Sequence, residues 1–328
     1  MASIRDVAKR ANVSPASVSR ALNGSGYVSE EAKSKIIKAM IELDYTPNEL
    51  ARNLFHKKTK IIAVLVPDIA HPFFSEFVKH VEAELYEYGY KTMICDTVKE
   101  QNYEVEYLDM LKRHIVDGII TGVHSLSVEE YLKIEKPIVA LDRYLGESIP
   151  VIGVDHKKGG ALAAEKLISC GCKEVVQFQG SRAVKTPSHE RHEEFARILQ
   201  ENNILVHSYE LKWNIFDNIY FEKVVHDIFE KYPDVDGMFG ADLLAIFYLK
   251  EALKHNKKVP EDIKIIAYDG TYVTKLMNPS ITAIVQPIDK LAKESVRLIL
   301  KLANGKLYKN KRVVLDVQLY EGETTLKY

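Results

Sequence analysis

Apolar positions in the first sixty residues recur at helical spacing. Ile4, Val7, Ala8 and Ala11 mark one short helix. Asn12-Val13 then interrupts the pattern. Ser14 offers an N-cap, and Pro15 a first helical residue with a preset φ and no N–H to lose. Val18, Ala21 and Leu22 continue a second helix, which Asn23-Gly24 ends. Helix, tight turn and helix within about 20 residues is helix-turn-helix spacing. A third helix begins at Ser29, with Glu30 and Glu31 at the positive end of its dipole and an apolar stripe of Ile36, Ile37, Met40, Ile41 and Leu43. Thr46-Pro47-Asn48-Glu49 reads as a capping box with proline at N1. It opens a segment, Leu50–Leu54, too short to hold a helix alone in water.

From residue 61 the pattern changes to apolar runs alternating with helical stretches. Ile61–Val66 reads as a buried parallel strand, a helix follows around Phe74–Tyr88, and further strands fall near Lys91–Cys95, Gly118–Thr121, Pro137–Leu141, Val175–Gln179, Gly237–Phe239 and Ile263–Tyr268. Helical stretches such as Gly160–Ser169, Glu190–Asn202 and Leu244–Leu253 separate them. The alternation predicts parallel sheets with helices on both faces. In such sheets ligands bind beyond the carboxyl ends of the strands.

The chain has 328 residues, 46% hydrophobic and 28% charged, the mix of an ordinary water-soluble fold of two or three domains. No apolar run reaches membrane-spanning length and residues 1–30 show no secretory h-region, so a cytoplasmic protein is expected. Three cysteines, Cys95, Cys170 and Cys172, do not make a disulfide framework, and Cys170-Gly-Cys172 lacks C-x-x-C spacing. Net charge is −1 overall, yet residues 1–60 carry eleven Lys/Arg against six Asp/Glu, a net +5 that leaves −6 for the remainder. A basic head on an acidic body is the pattern of a chain whose head alone meets a polyanion.

The second helix presents Ala16, Ser17, Ser19 and Arg20, small or hydroxylic side chains plus one guanidinium. Such a surface lets a helix lie deep in the DNA major groove. The segment after Pro47 is followed by Lys57, Lys58 and Lys60. A basic, cap-primed linker of this kind is expected to fold on contact with DNA and a partner chain, with Leu54 as an apolar wedge at a base step and Ala51 allowing close helix approach.

Ile4-Arg5-Asp6-Val7-Ala8, Val13–Asn23 and Tyr45–Arg52 together resemble the head and hinge of the LacI/GalR family of bacterial repressors, and the resemblance covers the whole chain. It implies operator DNA as partner, with Ser14, Ala16, Ser17 and Arg20 at the base- and phosphate-reading positions, Asn23 and Asn48 beside them, and Ala51 and Leu54 at the minor groove. It also implies an all-α helix-turn-helix head (1–45), a hinge helix and linker (46–60), and an α/β two-lobed effector domain (61–328) resembling periplasmic sugar-binding proteins. The expected first lobe covers about 61–157 plus part of 289–328, and the second about 158–288. The effector expected between them is a sugar or sugar phosphate.

Polyols need carboxylates and planar donor forks for their hydroxyls and aromatic faces for their C–H surfaces. Candidates near strand ends are Asp68, Phe73, Phe74, Asp142, Arg143, Arg191, Asp242 and Asp269, with Trp213 as a stacking platform. The resemblance puts Arg191 at the family's sugar- or purine-binding arginine and Asp269 at its hydroxyl-binding aspartate. Two departures stand out. Ala241-Asp242 replaces an Asn-Asp pair common in sugar-binding members, and Val317–Glu323 lacks an arginine common there. Ile138–Gly146 and Tyr268–Thr271 most resemble the sucrose-operon repressors of Gram-positive bacteria.

No Walker A run, G-x-G-x-x-G after a strand, G-x-S-x-G or H-E-x-x-H is present, so no enzyme and no cofactor is expected. His189, Glu190, His192 and Glu193 read as a solvated surface rather than a metal site. The competing classes are a sugar-binding receptor without a DNA role, which the basic head disfavours, and a corepressor-dependent regulator. The chain ends without the leucine heptad of the family's tetramers, so a homodimer is expected.

Overall fold

The computed structural model describes residues 2–24, 26–46, 58–97, 103–123, 126–183, 185–213, 215–306 and 312–326, with the backbone alone of Asn23. The chain divides into two units, Met1–Lys60 and Ile61–Tyr328.

Among the described residues of the first unit three helices form where the apolar spacing and caps put them: α1 (Ile4–Ala11), α2 (Pro15–Asn23) and α3 (Glu30–Glu42). Ser3 and Asp6 make a reciprocal capping box on α1, with Ser3 N donating to Asp6 Oδ2 at 2.8 Å and Asp6 N to Ser3 Oγ at 3.3 Å. Asn12, left-handed at φ 53°, turns the chain into α2, whose N-cap Ser14 accepts from Ser17 N at 3.1 Å. Val7, Ala8, Ala11, Val18, Val28, Ile36 and Ala39 fill a small core. The apolar stripe expected on α3 is only partly buried: Ile36 is inside, while Ile37 and Ile41 are 58% and 76% exposed. Two helices of eight and nine residues are too short to cover both sides of a thirteen-residue third.

The second unit holds two six-stranded sheets. The first contains β1 (Ile61–Val66), β2 (Lys91–Asp96), β3 (Gly118–Thr121), β4 (Ile138–Leu141), β5 (Val151–Val154) and β11 (Arg312–Leu315), in the order β11-β5-β4-β3-β1-β2, all parallel. The second contains β6 (Glu174–Gln179), β7 (Leu205–Glu210), β8 (Gly237–Ala241), β9 (Lys264–Asp269), β10 (Thr282–Val285) and β12 (Gln318–Tyr320), in the order β12-β10-β9-β8-β6-β7, parallel except for β12 against β10. Helices α4 (Pro72–Glu87), α5 (Glu104–Lys112) and α6 (Val128–Leu132) belong to the first lobe; α7 (His156–Ser169), α8 (His189–Glu201), α9 (Asn218–Lys231), α10 (Asp242–Lys254) and α11 (Tyr272–Lys275) to the second. Helix α12 (Ile288–Ala303) leaves the second sheet and packs on α4 of the first lobe, and residues 318–326 return to the second.

The two lobes share one topology: each of the first five strands takes the same place in its sheet. Strand order therefore reverses between β1 and β3 in one lobe and between β6 and β8 in the other, the crevice positions where parallel α/β sheets bind ligands. Buried strands such as Ile61–Val66 are apolar on both faces because helices cover both, as parallel sheets require. One apolar cluster joins Ile62, Ile120 and Ile152 of the first lobe to Phe195, Phe239 and Ile266 of the second, so the lobes share a core.

Candidate functional site

A cavity of about 240 Å³ opens at both strand-order reversals. Pro67 and Gly122, which follow β1 and β3, and Gly180 and Ala241, which follow and end β6 and β8, all line it. The first lobe adds His71, Phe73, Phe74, Leu141 and Asp142. The second adds Ser181, Thr186, Ser188, His189, Arg191, Trp213, Phe216, Asp269 and Gln286.

Arg191 stands in the first turn of α8 and is fixed by two neighbours, His192 and Tyr268. Its Nε donates to His192 Nε2 at 3.2 Å, and its guanidinium lies 4.0 Å from the centre of the Tyr268 ring. His192 Nδ1 lies 3.0 Å from Gln177 Oε1, so His192 is neutral with its proton on Nδ1. Burial and the adjacent Arg191 charge hold the His192 pKa well below the ordinary histidine value. Helix α7 reaches α8 closely enough that a Cβ on Gly160 would lie 2.1 Å from the Arg191 carbonyl oxygen.

Asp269 ends β9 at φ 114°, a region non-glycine residues seldom occupy, and Gly270 follows at φ 65°. Gln286 Nε2 donates to Asp269 Oδ1 at 2.7 Å. Burial raises the Asp269 pKa, opposed first by the nearby Arg191 charge. Asp142, left-handed at φ 50°, has its Oδ1 3.0 Å from His156 Nε2, and His156 Nδ1 lies 3.0 Å from the Tyr268 hydroxyl. A polar chain therefore runs from Asp142 of the first lobe through His156 to Tyr268 and Arg191 of the second.

Of the nine effector candidates, the cavity brings together Phe73, Phe74, Asp142, Arg191, Trp213 and Asp269. It does not include Asp68, Arg143 or Asp242. Asp68 closes a turn, its Oδ1 accepting from Ala70 N at 2.7 Å. Arg143 is buried inside the first lobe, where it donates to the carbonyls of Val123 and Leu126 beside Glu104. Asp242 lies beneath the cleft: its carboxylate accepts from Gly270 N at 3.0 Å, Thr271 N at 2.8 Å and Thr271 Oγ1 at 2.6 Å, holding the turn that presents Asp269. Burial and the Asp269 charge push the Asp242 pKa well up. The reading of His189 and His192 as solvated surface is also corrected. His192 is 3% exposed, and His189 lines the cavity with its Nε2 3.1 Å from the Ser181 carbonyl.

His71, Phe216 and Gln286 were not legible as site residues. Phe73-Phe74 was the signal nearest to His71, which occupies the N-cap position of α4 without its ring capping anything.

In the head, Ala16 and Arg20 are exposed on α2 and Ser17 is half-buried, its hydroxyl 2.9 Å from that of Ser14. Asn48, Ala51 and Leu54 lie outside the described residues, as does the Asn23 side chain.

A basic helix-turn-helix head, joined to a two-lobed domain that closes a polar and aromatic cleft, is the build of a DNA-binding regulator answering to a small molecule. Residues 3–48 match the model of bacterial regulatory proteins of the lacI family, and residues 164–325 that of a periplasmic binding protein-like domain. A ribose operon repressor from Halalkalibacterium halodurans is 37% identical over 99% of this chain and 97% of that protein. A sucrose operon repressor from Streptococcus mutans is 36% identical over 99% of each. A crystal structure of a periplasmic binding protein/LacI transcriptional regulator from Alkaliphilus metalliredigens, complexed with D-xylulofuranose, matches with a TM-score of 0.74 at 27% identity, covering 82% of this chain and 100% of that one. The chain belongs to the lacI family of bacterial regulatory proteins. It is a transcriptional regulator and not an enzyme. The likeness to sucrose-operon repressors holds, but a ribose operon repressor is equally similar, so kinship does not separate the two sugars.

Proposed function

We propose that this protein represses a carbohydrate-utilisation operon, holding operator DNA as a homodimer and releasing it when a sugar fills the cleft between its lobes. The observation that carries this reading is the cavity at the paired strand-order reversals. It offers one planar donor fork (Arg191), two carboxylates (Asp142 and Asp269) and the rings of Phe74, Trp213 and Phe216. Neighbouring hydroxyls, each both donor and acceptor, match that alternation, and C–H faces match the rings. The ribose and sucrose operon repressors among its relatives, and a structural neighbour complexed with D-xylulofuranose, support a sugar.

A homodimer is supported by Tyr86, Tyr88, Ile94 and Val105, exposed apolar side chains on or beside the edge strand β2 of the first lobe. Bare apolar strand edges invite pairing. On this reading Ser14, Ala16, Ser17 and Arg20 meet the DNA, with Asn23, and with Asn48, Ala51 and Leu54 from the hinge.

The test is fluorescence anisotropy on an operator recovered by in-vitro selection, with and without candidate sugars. Arg20→Ala should cost about 1–3 kcal/mol of operator affinity and leave sugar binding intact. A parallel loss of sugar affinity would show that the variant had misfolded. A sugar that tightened operator binding would make the protein a corepressor-dependent regulator.

A further inference from the structure

We propose that the cleft is built for one uncharged monosaccharide, that it excludes sugar phosphates and disaccharides, and that His71 and Gln286 read its hydroxyls. This rests on the sugar reading above and narrows it.

Three observations bear on charge. Among the described lining residues Arg191 is the one permanent cation, set against the carboxylates of Asp142 and Asp269. Part of its guanidinium is already committed, to His192 Nε2 and to the face of Tyr268. His71 adds no positive charge, because burial outweighs the pull of Asp269 and lowers its pKa. Two backbone amides beside the cleft, a kind of group that commonly binds phosphate, are already engaged. The Gly270 and Thr271 N–H groups donate to the Asp242 carboxyl oxygens. Helix α4 starts on Pro72, which has no N–H to give. A phosphate dianion would meet the carboxyl groups of Asp142 and Asp269 against a single guanidinium among the described lining residues.

Three buried polar atoms on lining residues have no hydrogen-bond partner: His71 Nδ1, Gln286 Oε1 and Asp142 Oδ1, the last lying 3.0 Å from His156 Nε2. Buried groups of this kind are rarely left unsatisfied. Gln286 donates its amide to Asp269, which leaves its oxygen to accept. The His71 ring is held between Phe74 and Phe216, with centroids 5.6 and 5.9 Å away. A hydroxyl donating to Gln286 and another exchanging a proton with His71 would satisfy the first two.

The space sets the size. A volume of about 240 Å³ falls below the ~300 Å³ at which drug-sized pockets begin. An adjoining space of about 160 Å³ shares His71, Gly180, Ser181, Trp213, Phe216 and Ala241 with the cavity, and its remaining walls are Leu211, Lys212, Ile215, Phe221, Leu243 and Leu244. Lys212 is exposed with its ammonium over the Tyr220 ring, so the walls that the annex adds beyond the shared residues offer little to the hydroxyls of a second sugar ring.

Calorimetry on the full-length protein with matched pairs tests the proposal: D-ribose and its 5-phosphate, D-fructose and its 6-phosphate, D-glucose and its 6-phosphate, and sucrose. A free monosaccharide is expected to bind, with its ester on the order of a hundredfold weaker, the penalty for like charges pressed together. Sucrose should be similarly excluded. His71→Leu should weaken the bound monosaccharide by about tenfold, one buried hydrogen bond, while operator binding shows that the fold is intact. Asp142→Asn should narrow the gap between sugar and ester. An ester that binds as tightly as its parent, or sucrose binding more tightly than any monosaccharide, overturns this proposal and leaves the sugar reading standing. If nothing in the panel binds, the sugar reading falls and this proposal with it.

Discussion

His192 does not line the cavity, yet it holds Arg191, which does. Its neutral ring accepts from Arg191 Nε, and that acceptor exists only while Nε2 is unprotonated. Its pKa is held well below the ordinary value by burial first and by Arg191 second. The unfolded chain therefore binds a proton near pH ~6.5 that the folded chain refuses. The stability this contributes is full above that pH and is lost as pH falls toward the folded pKa, at up to ~1.36 kcal/mol per unit. His71 shifts in the same direction. We expect the melting temperature and the sugar affinity to fall together as pH drops from about 7.5 to about 5.5, and His192→Gln to flatten both slopes. Profiles as steep in the variant as in the parent would contradict this role. At this scale the sequence was only partly readable. Arg191 and Asp269 stood out through a family resemblance. His71, His192 and Gln286 did not, because a single histidine or glutamine carries no periodicity and acquires meaning only from what the fold packs around it.

The elements that carry the site are set by close approach. Gly160 lets α7 lie against α8, and a Cβ there would strike backbone, which cannot rotate aside. Gly160→Ala should push α8 away, destabilise the protein by about 1–3 kcal/mol and weaken sugar binding, because Arg191 moves with its helix. An unchanged melting temperature and sugar affinity would mean that the helices are not pinned at this point. Long buried strands and amphipathic helices were legible in advance: Ile61–Val66, Gly118–Thr121 and the helices after β1, β5 and β6 fall near the expected places. Other strands gave weaker signals. Val151–Val154 is four residues broken by a glycine, Leu205–Glu210 is a half-exposed edge strand, and Arg312–Leu315 and Gln318–Tyr320 are short edges whose pairing is decided by distant residues. The same limit hid the outward turn of Ile37 and Ile41 in the head.

At the scale of the molecule, the chain passes between the lobes after β5, after β10 and after β11, so the lobes are tied at three strands beside one shared cleft. A ligand that touches Asp142 on one side and Arg191 and Asp269 on the other binds lobes in one arrangement better than in another, and that difference is what shifts a population. Coupling of this kind is worth about 1–3 kcal/mol, roughly 5- to 150-fold in affinity. The most direct test of the account is to titrate sugar into the preformed complex of labelled operator with the parent protein or with Arg191→Ala. The account predicts that the parent releases operator as the cleft fills, with affinity falling by a factor in that range. Arg191→Ala should bind operator with the parent's affinity and keep it at every sugar concentration. Release of operator by Arg191→Ala at the sugar concentrations that work on the parent would contradict it.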